Sequence, residues 1–207
     1  MQVGAAAMGL LAILGCMSCG GLPKTYYYTL QIPPPPPAND ARSKLLIGVE
    51  RFRAPELLRD DRIVFYETPT QLNFYQNHRW TSDPATMLSE LVARRLSATG
   101  IFADVLQLPA RTPVDYILRG RVLNFEEVDY GGGVIGRVGL ELTLVRSRDN
   151  TTVWSDARMV ERPAQGKGVP GVVNALNASS EQLLRDVLPG LIAEVERELS
   201  QNAGQSQ

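Results

Sequence analysis

Between Val134 and Arg146 the chain alternates: Val138, Leu140, Leu142 and Leu144 fall on one side, Arg137, Glu141 and Thr143 on the other. A period of two fits a β-strand with one face buried and excludes a helix, whose side chains recur about every 3.6 residues. Asp115 to Tyr130 reads as a second long strand, and Gly131-Gly132-Gly133 joins the two as an antiparallel hairpin. Arg148-Asp149-Asn150 then turns the chain into a third strand, Thr151 to Val160. Such a meander has one apolar face, which must be covered by another layer.

Two segments have the helical period needed to cover it. Asp83 is a good N-cap and Pro84 a good first residue for a helix in which Met87, Leu88, Leu91, Val92 and Leu96 share a face until Gly100 ends it. After a glycine-rich link, Leu183, Leu184, Val187, Leu188, Leu191, Ile192, Val195 and Leu199 form a second stripe, with Pro189 expected to kink it. Further strands are predicted at Tyr26 to Leu30, Lys44 to Phe52, Arg62 to Glu67, Gln71 to Tyr75 and Phe102 to Leu106, with a turn or short helical piece at Ala54 to Leu58. The pattern predicts a single α+β domain: a mixed, largely antiparallel sheet with two main helices packed on one face.

The N-terminal segment is of another kind. Gly4 to Leu14 is an apolar run too short to span a bilayer but suited to a secretory signal. Only Met1-Gln2-Val3 precede it, without Lys or Arg, which leaves room for a start further upstream. Ala12-Ile13-Leu14-Gly15-Cys16 resembles the lipobox of bacterial lipoproteins, which implies that Cys16 is acylated and becomes the new N-terminus. Cys19 is the rival position, and Cys16 with Cys19 makes a C-x-x-C that elsewhere suggests redox chemistry or half a zinc site. Cysteines and βαβ context to complete either are missing from the sequence. Pro33 to Pro37 favours polyproline II, a stiff spacer of roughly 16 Å. The chain thus divides into 1–15, a signal peptide; 16–44, the lipid anchor, first short strand and Pro-rich spacer; and 45–203, the domain.

The balance of 21 basic against 22 acidic side chains leaves no electrostatic footprint for nucleic acid, and no single helix or strand gathers Lys and Arg on one face. Beyond the leader, charge interrupts every apolar stretch, so no second transmembrane candidate exists and the body reads as soluble. Gly131-x-Gly133-x-x-Gly136 matches the dinucleotide fingerprint in letters, yet it leads into a strand rather than a helix N-terminus and reads as a hairpin tip. No G-x-x-x-x-G-K-[ST] is present. His78 is the one histidine, which removes multi-histidine metal sites, and no G-x-S-x-G serine accompanies it; it reads as a loop or strand-end residue. Glu126, Glu127 and Asp129 have the composition of paired carboxylates but read as a solvated strand edge. No cofactor, metal or catalytic residue is expected.

Several segments together resemble the ABC-type transport auxiliary lipoproteins, the PqiC-like family. They are Tyr27-Tyr28-Thr29-Leu30 after the lipobox, Gly48-Val49-Glu50 leading to Pro55-Glu56-Leu57-Leu58, Val64-Phe65-Tyr66, Leu72 to Tyr75, Arg79-Trp80-Thr81-Ser82-Asp83-Pro84, Met87-Leu88, Leu96, Gly100 to Val105, and Tyr116 to Phe125 with the C-terminal helix. The resemblance implies a periplasmic accessory domain, not a motor. It would work beside an ABC transporter and an MCE-domain protein in moving lipids or other hydrophobic molecules between membranes. Met17, where aspartate would favour retention in the inner membrane, implies the outer membrane, with the body facing the periplasm.

Within this reading Arg79 and Trp80 are the candidate partner-binding residues, an arginine and an aromatic just before a helix start, types enriched at interface hot spots. The competing reading packs Trp80 against the helix and pairs Arg79 locally. Two other functions stay open: a stand-alone assembly or lipid-carrier lipoprotein, which needs an apolar cavity, and a hydrolase using His78. Self-association also stays open.

Overall fold

The computed structural model describes residues 23–33 and 43–204; the signal segment, Cys16, Cys19 and the proline run beyond Pro33 lie outside the described residues. In chain order the elements are β1 (Tyr26–Tyr28), β2 (Leu46–Val49), a short 3₁₀ turn (Glu56–Leu58), β3 (Arg62–Thr68), β4 (Gln71–Trp80), α1 (Pro84–Thr99), β5 (Asp104–Gln107), β6 (Tyr116–Val128), β7 (Ile135–Arg146), β8 (Thr151–Pro163) and α2 (Gly168–Gly204). They form the single α+β domain that the pattern predicts, an open mixed sheet of eight strands with both helices over one face.

The meander is its centre. β6 pairs antiparallel with β7 from Tyr116↔Arg146 to Val128↔Ile135, and β7 with β8 from Ile135↔Pro163 to Arg146↔Thr151. Gly131 and Gly132 take left-handed φ values of 89° and 102° at the hairpin tip, where a side chain would be strained. Val138, Leu140, Leu142 and Leu144 are all fully buried. One bulge changes the phase of β6: Val122 opposes Leu140 but Asn124 opposes Gly139, leaving Leu123 extra and exposed. Past the bulge Phe125, which strict alternation would have turned outward, faces the core.

The other edge of β6 holds two parallel strands in succession. β2 pairs with its first half through Ile47↔Tyr116 and Val49↔Leu118, an isolated bridge joins Arg53 to Arg121, and β3 pairs with its second half through Val64↔Glu126 and Tyr66↔Val128. The expected strand Lys44 to Phe52 is therefore shorter, because the chain leaves the sheet after Val49 to pass Phe52 over Gly120. A Cβ on Gly120 would meet the Phe52 ring at 2.5 Å. β4 folds back on β3, β1 adds to β4 in parallel, and β5 adds to β2. The strand expected at Phe102 to Leu106 starts at Asp104, since Phe102 turns into the core instead.

α1 forms as the capping signals require. The Asp83 carboxylate accepts from Thr86 N at 3.0 Å and from Arg51 Nη2 at 2.7 Å, and Gly100 closes the helix with φ 65°. Partial burial pushes the Asp83 carboxyl up, but the hydrogen bonds from Arg51 and Thr86 outweigh it and hold it below the ordinary value. α2 begins at Gly168, well ahead of the stripe that starts at Leu183. Its first turns carry glycine, valine and serine, weak in helix propensity, and Gly136 lets their backbone lie against β7. A Cβ there would sit 2.8 Å from Leu176 N, and Ser179 Oγ donates to the Gly136 carbonyl at 2.8 Å. Pro189 does not end the helix: it and Arg185, whose carbonyl loses its amide partner, both face solvent, where water replaces the bond.

Two substitutions test this packing. Gly136→Ala should lower unfolding free energy by about 1–3 kcal/mol, because the methyl meets helix backbone rather than a movable side chain. Asp83→Ala should cost about 1 kcal/mol through the lost cap. Urea unfolding followed by circular dichroism reads both.

Candidate functional site

β4 runs five residues beyond the strand expected at Gln71 to Tyr75, because both its edges are paired: Arg79 with Arg62 of β3, Tyr28 of β1 with Trp80. Arg79 and Trp80 thus sit in a strand, and alternation sends them to opposite faces. Trp80 is 1% exposed and meets Phe125 edge-on at 5.2 Å between ring centroids. Its indole N–H finds no acceptor among the described residues. The Arg79 side chain is 34% exposed and donates from Nη1 to Asp61 Oδ1 at 2.7 Å. Of the two candidate residues, only Arg79 reaches solvent. Asp60 and Arg62 pair beside it at 2.6 Å, with the Arg62 guanidinium 3.8 Å from the Phe74 ring centroid.

His78 lies inside β4, not in a loop. Its ring stacks on Tyr26 and Tyr28 at 5.1 and 5.7 Å, and its Nδ1 lies 2.8 Å from the Tyr28 hydroxyl. A hydrolytic triad orients its histidine through a carboxylate; here a tyrosine holds that nitrogen.

Glu126 and Glu127 are not the solvated edge that the sequence suggests, since each is only 4% exposed. Being consecutive in a strand they point apart and do not pair with each other, whereas Asp129, two residues on from Glu127, is exposed as the sequence suggests and its charge bears on Glu127. Glu127 accepts from the Tyr75 hydroxyl at 2.7 Å beside the loop that starts α2. Glu126 turns to Asn124 Nδ2 at 2.8 Å and Phe125 N at 2.6 Å, with Arg137 at 3.8 Å. Burial pushes both carboxyls above their ordinary value, more than these partners recover. At the other end of β6, Glu198 of α2 accepts from Tyr116 at 2.5 Å and pairs with Arg146. Burial pushes its carboxyl up, but Arg146 and Tyr116 outweigh that and hold it down. Sequence spacing gave no sign of either pairing, because the partners are far apart in the chain. Among the described residues no cluster of three or more His, Cys, Asp or Glu has metal-site geometry, and no helix is long and apolar enough to cross a membrane.

Comparison with known proteins gives a family model described as ABC-type transport auxiliary lipoprotein component, matching residues 28–188. Among solved structures, protein XCC0632 from Xanthomonas campestris is similar with a TM-score of 0.75 and 21% identity, covering 84% of this chain and 99% of that one. An uncharacterized protein is similar with a TM-score of 0.60 and 20% identity, covering 86% and 99%. These two likenesses establish the fold. No curated protein sequence matches the chain significantly.

The buried carboxyls make stability depend on pH in two opposed windows. Glu127 has a raised folded-state value, so the native state binds protons more tightly than the unfolded chain, and stability rises as pH falls toward the unfolded value near 4.5. Glu198 has a lowered one, so its contribution is present above 4.5 and is lost as pH falls through its folded-state value. Urea midpoints should therefore peak in mild acid. Glu127→Gln should flatten the limb above the peak, and Glu198→Gln the limb below it.

Proposed function

The chain belongs to the ABC-type transport auxiliary lipoprotein family, and from that membership we propose that it is a non-catalytic adaptor of a lipid transport system. Cys16 carries the acyl anchor, the outer membrane is the address, and the domain reaches an MCE-domain protein and its ABC transporter from the periplasmic face. The observation that carries the adaptor over the lipid-carrier alternative is the filling of the space between sheet and helices. Leu140, Leu142 and Leu144 from β7 and Leu176, Leu183, Val187 and Leu191 from α2 are each at most 1% exposed in one continuous core. An acyl chain has no room there. One groove, lined by Glu50, Arg53, Arg119, Arg121 and Glu141, is open and charged, and the apolar groove between α1 and α2, lined by Leu184, Leu188 and Ile192, is open at the surface rather than an enclosed cavity for a hydrocarbon chain.

The lack of a nucleotide-binding loop in the sequence fits an accessory that leaves ATP hydrolysis to its partner. The Tyr28 hydroxyl on His78 Nδ1 stands where a hydrolytic triad would place a carboxylate. Arg79 is the proposed contact residue, and Trp80 supports it from beneath by fixing the end of β4.

Arg79→Ala should weaken recovery of the MCE-domain partner about ten-fold or more in a pull-down. It should shift stability by less than about 1 kcal/mol, since its ion pair with Asp61 is solvent-exposed. Equal recovery of the partner by the variant and the natural chain would sink the role of Arg79.

A further inference from the structure

Four large apolar or aromatic side chains stand exposed among the described residues, and two of them are neighbours: Tyr26 at 45% and Tyr27 at 63%. They occupy β1, the terminal strand of the sheet, whose outer edge pairs with no other strand among the described residues. Lys24 belongs to the same patch, with its Nζ 5.1 Å from the centre of the Tyr26 ring. Alternation puts Tyr26 and Tyr27 on opposite flanks of the strand, so the patch wraps the sheet's edge rather than widening either face. Behind it, Tyr26 and Tyr28 stack on His78, which fixes the edge to the body of the domain.

We propose that this edge rests on the bilayer, with Lys24, Tyr26 and Tyr27 in the headgroup region of the membrane that carries the anchor. The inference rests on acylation at Cys16. Lys24 stands eight residues after Cys16, so it lies within roughly 28 Å of the lipid-bearing residue however the intervening chain runs. Of the four exposed side chains, only these two are tied so closely to the anchor. Their chemistry also favours lipid over protein. Tyrosine concentrates at membrane–water interfaces because an apolar ring and a polar hydroxyl each find their medium there, and lysine reaches up to the phosphates with its stem in the acyl boundary. An edge strand leaves backbone N–H and C=O groups that invite pairing with another chain; headgroups and interfacial water satisfy them instead. The domain is then held at two points, so the sheet stands edge-on to the membrane and β8, at its far side, faces away.

The full acylated chain, carrying Cys19→Ser, tests this in vesicles of phosphatidylethanolamine and phosphatidylglycerol. An environment-sensitive fluorophore is attached through Tyr27→Cys, or in a separate preparation through Met159→Cys on β8, itself 59% exposed. Brominated lipids should quench the label at position 27 about two-fold, as for groups in the headgroup and upper acyl region, and leave that at 159 unchanged. Equal quenching at both positions, in protein whose mass shows the acyl chains, overturns the edge-on arrangement while leaving the anchor intact. A chain recovered without acyl chains overturns the anchor reading and this inference with it.

Discussion

Everything in the domain is registered against β6. One edge of this strand is paired along its whole length with β7, and the other is divided between β2 and β3, which run parallel to it one after the other. A strand paired on both edges cannot slip by one residue without turning every side chain to the wrong face. The bulge at Leu123 is the one place where phase changes, and it lets Phe125 join the core beneath Trp80. The packing of both helices follows from that register. Gly120 must lie under Phe52, and Gly136 under the first turns of α2, for the two layers to close.

Closing them so tightly also determines where function is found. With the interior filled by leucine and valine, chemistry and recognition are left to the rim and the outer face. The rim has one end that differs from the rest, where β1 and β4 bring together tyrosines, His78 and Arg79. The buried carboxylates serve the fold: Glu127 ties β6 to β4 through Tyr75, and Glu198 ties α2 to β6 and β7 through Tyr116 and Arg146. A family role as a transport auxiliary suits a body of this kind, with a filled core and its charged groups at the surface.

The long antiparallel strands and α1 were legible because their signals are local. Alternation from Val138 to Leu144, glycines at the hairpin tip, and Asp83-Pro84 ahead of an apolar stripe each identify an element without reference to anything distant. The parallel pairings of β1, β2, β3 and β5 leave no such mark, since they join segments far apart and only a few residues long. The sequence ends β4 at Tyr75 because Gln76-Asn77-His78-Arg79 is polar; pairing on both edges extends it to Trp80. The apolar stripe announces α2 only from Leu183, because the glycine-rich segment after Pro163 reads as a link; the helix starts at Gly168, where Gly136 admits its backbone against β7. The same limit applied to the site: Arg79 and Trp80 were found as a pair, but whether they share a face depends on their being in a strand. The anchor was legible as a motif alone.

Crosslinking with mass spectrometry on intact envelopes, using a tagged chain with its own Cys16 and a Cys16→Ala control, tests the central claim most directly. A tethered adaptor predicts crosslinks to an MCE-domain protein or an ABC transporter subunit, centred on the surface around Arg79 of β4 and lost when the anchor is removed. Crosslinks that reach no transport component, or that persist unchanged without Cys16, would contradict it.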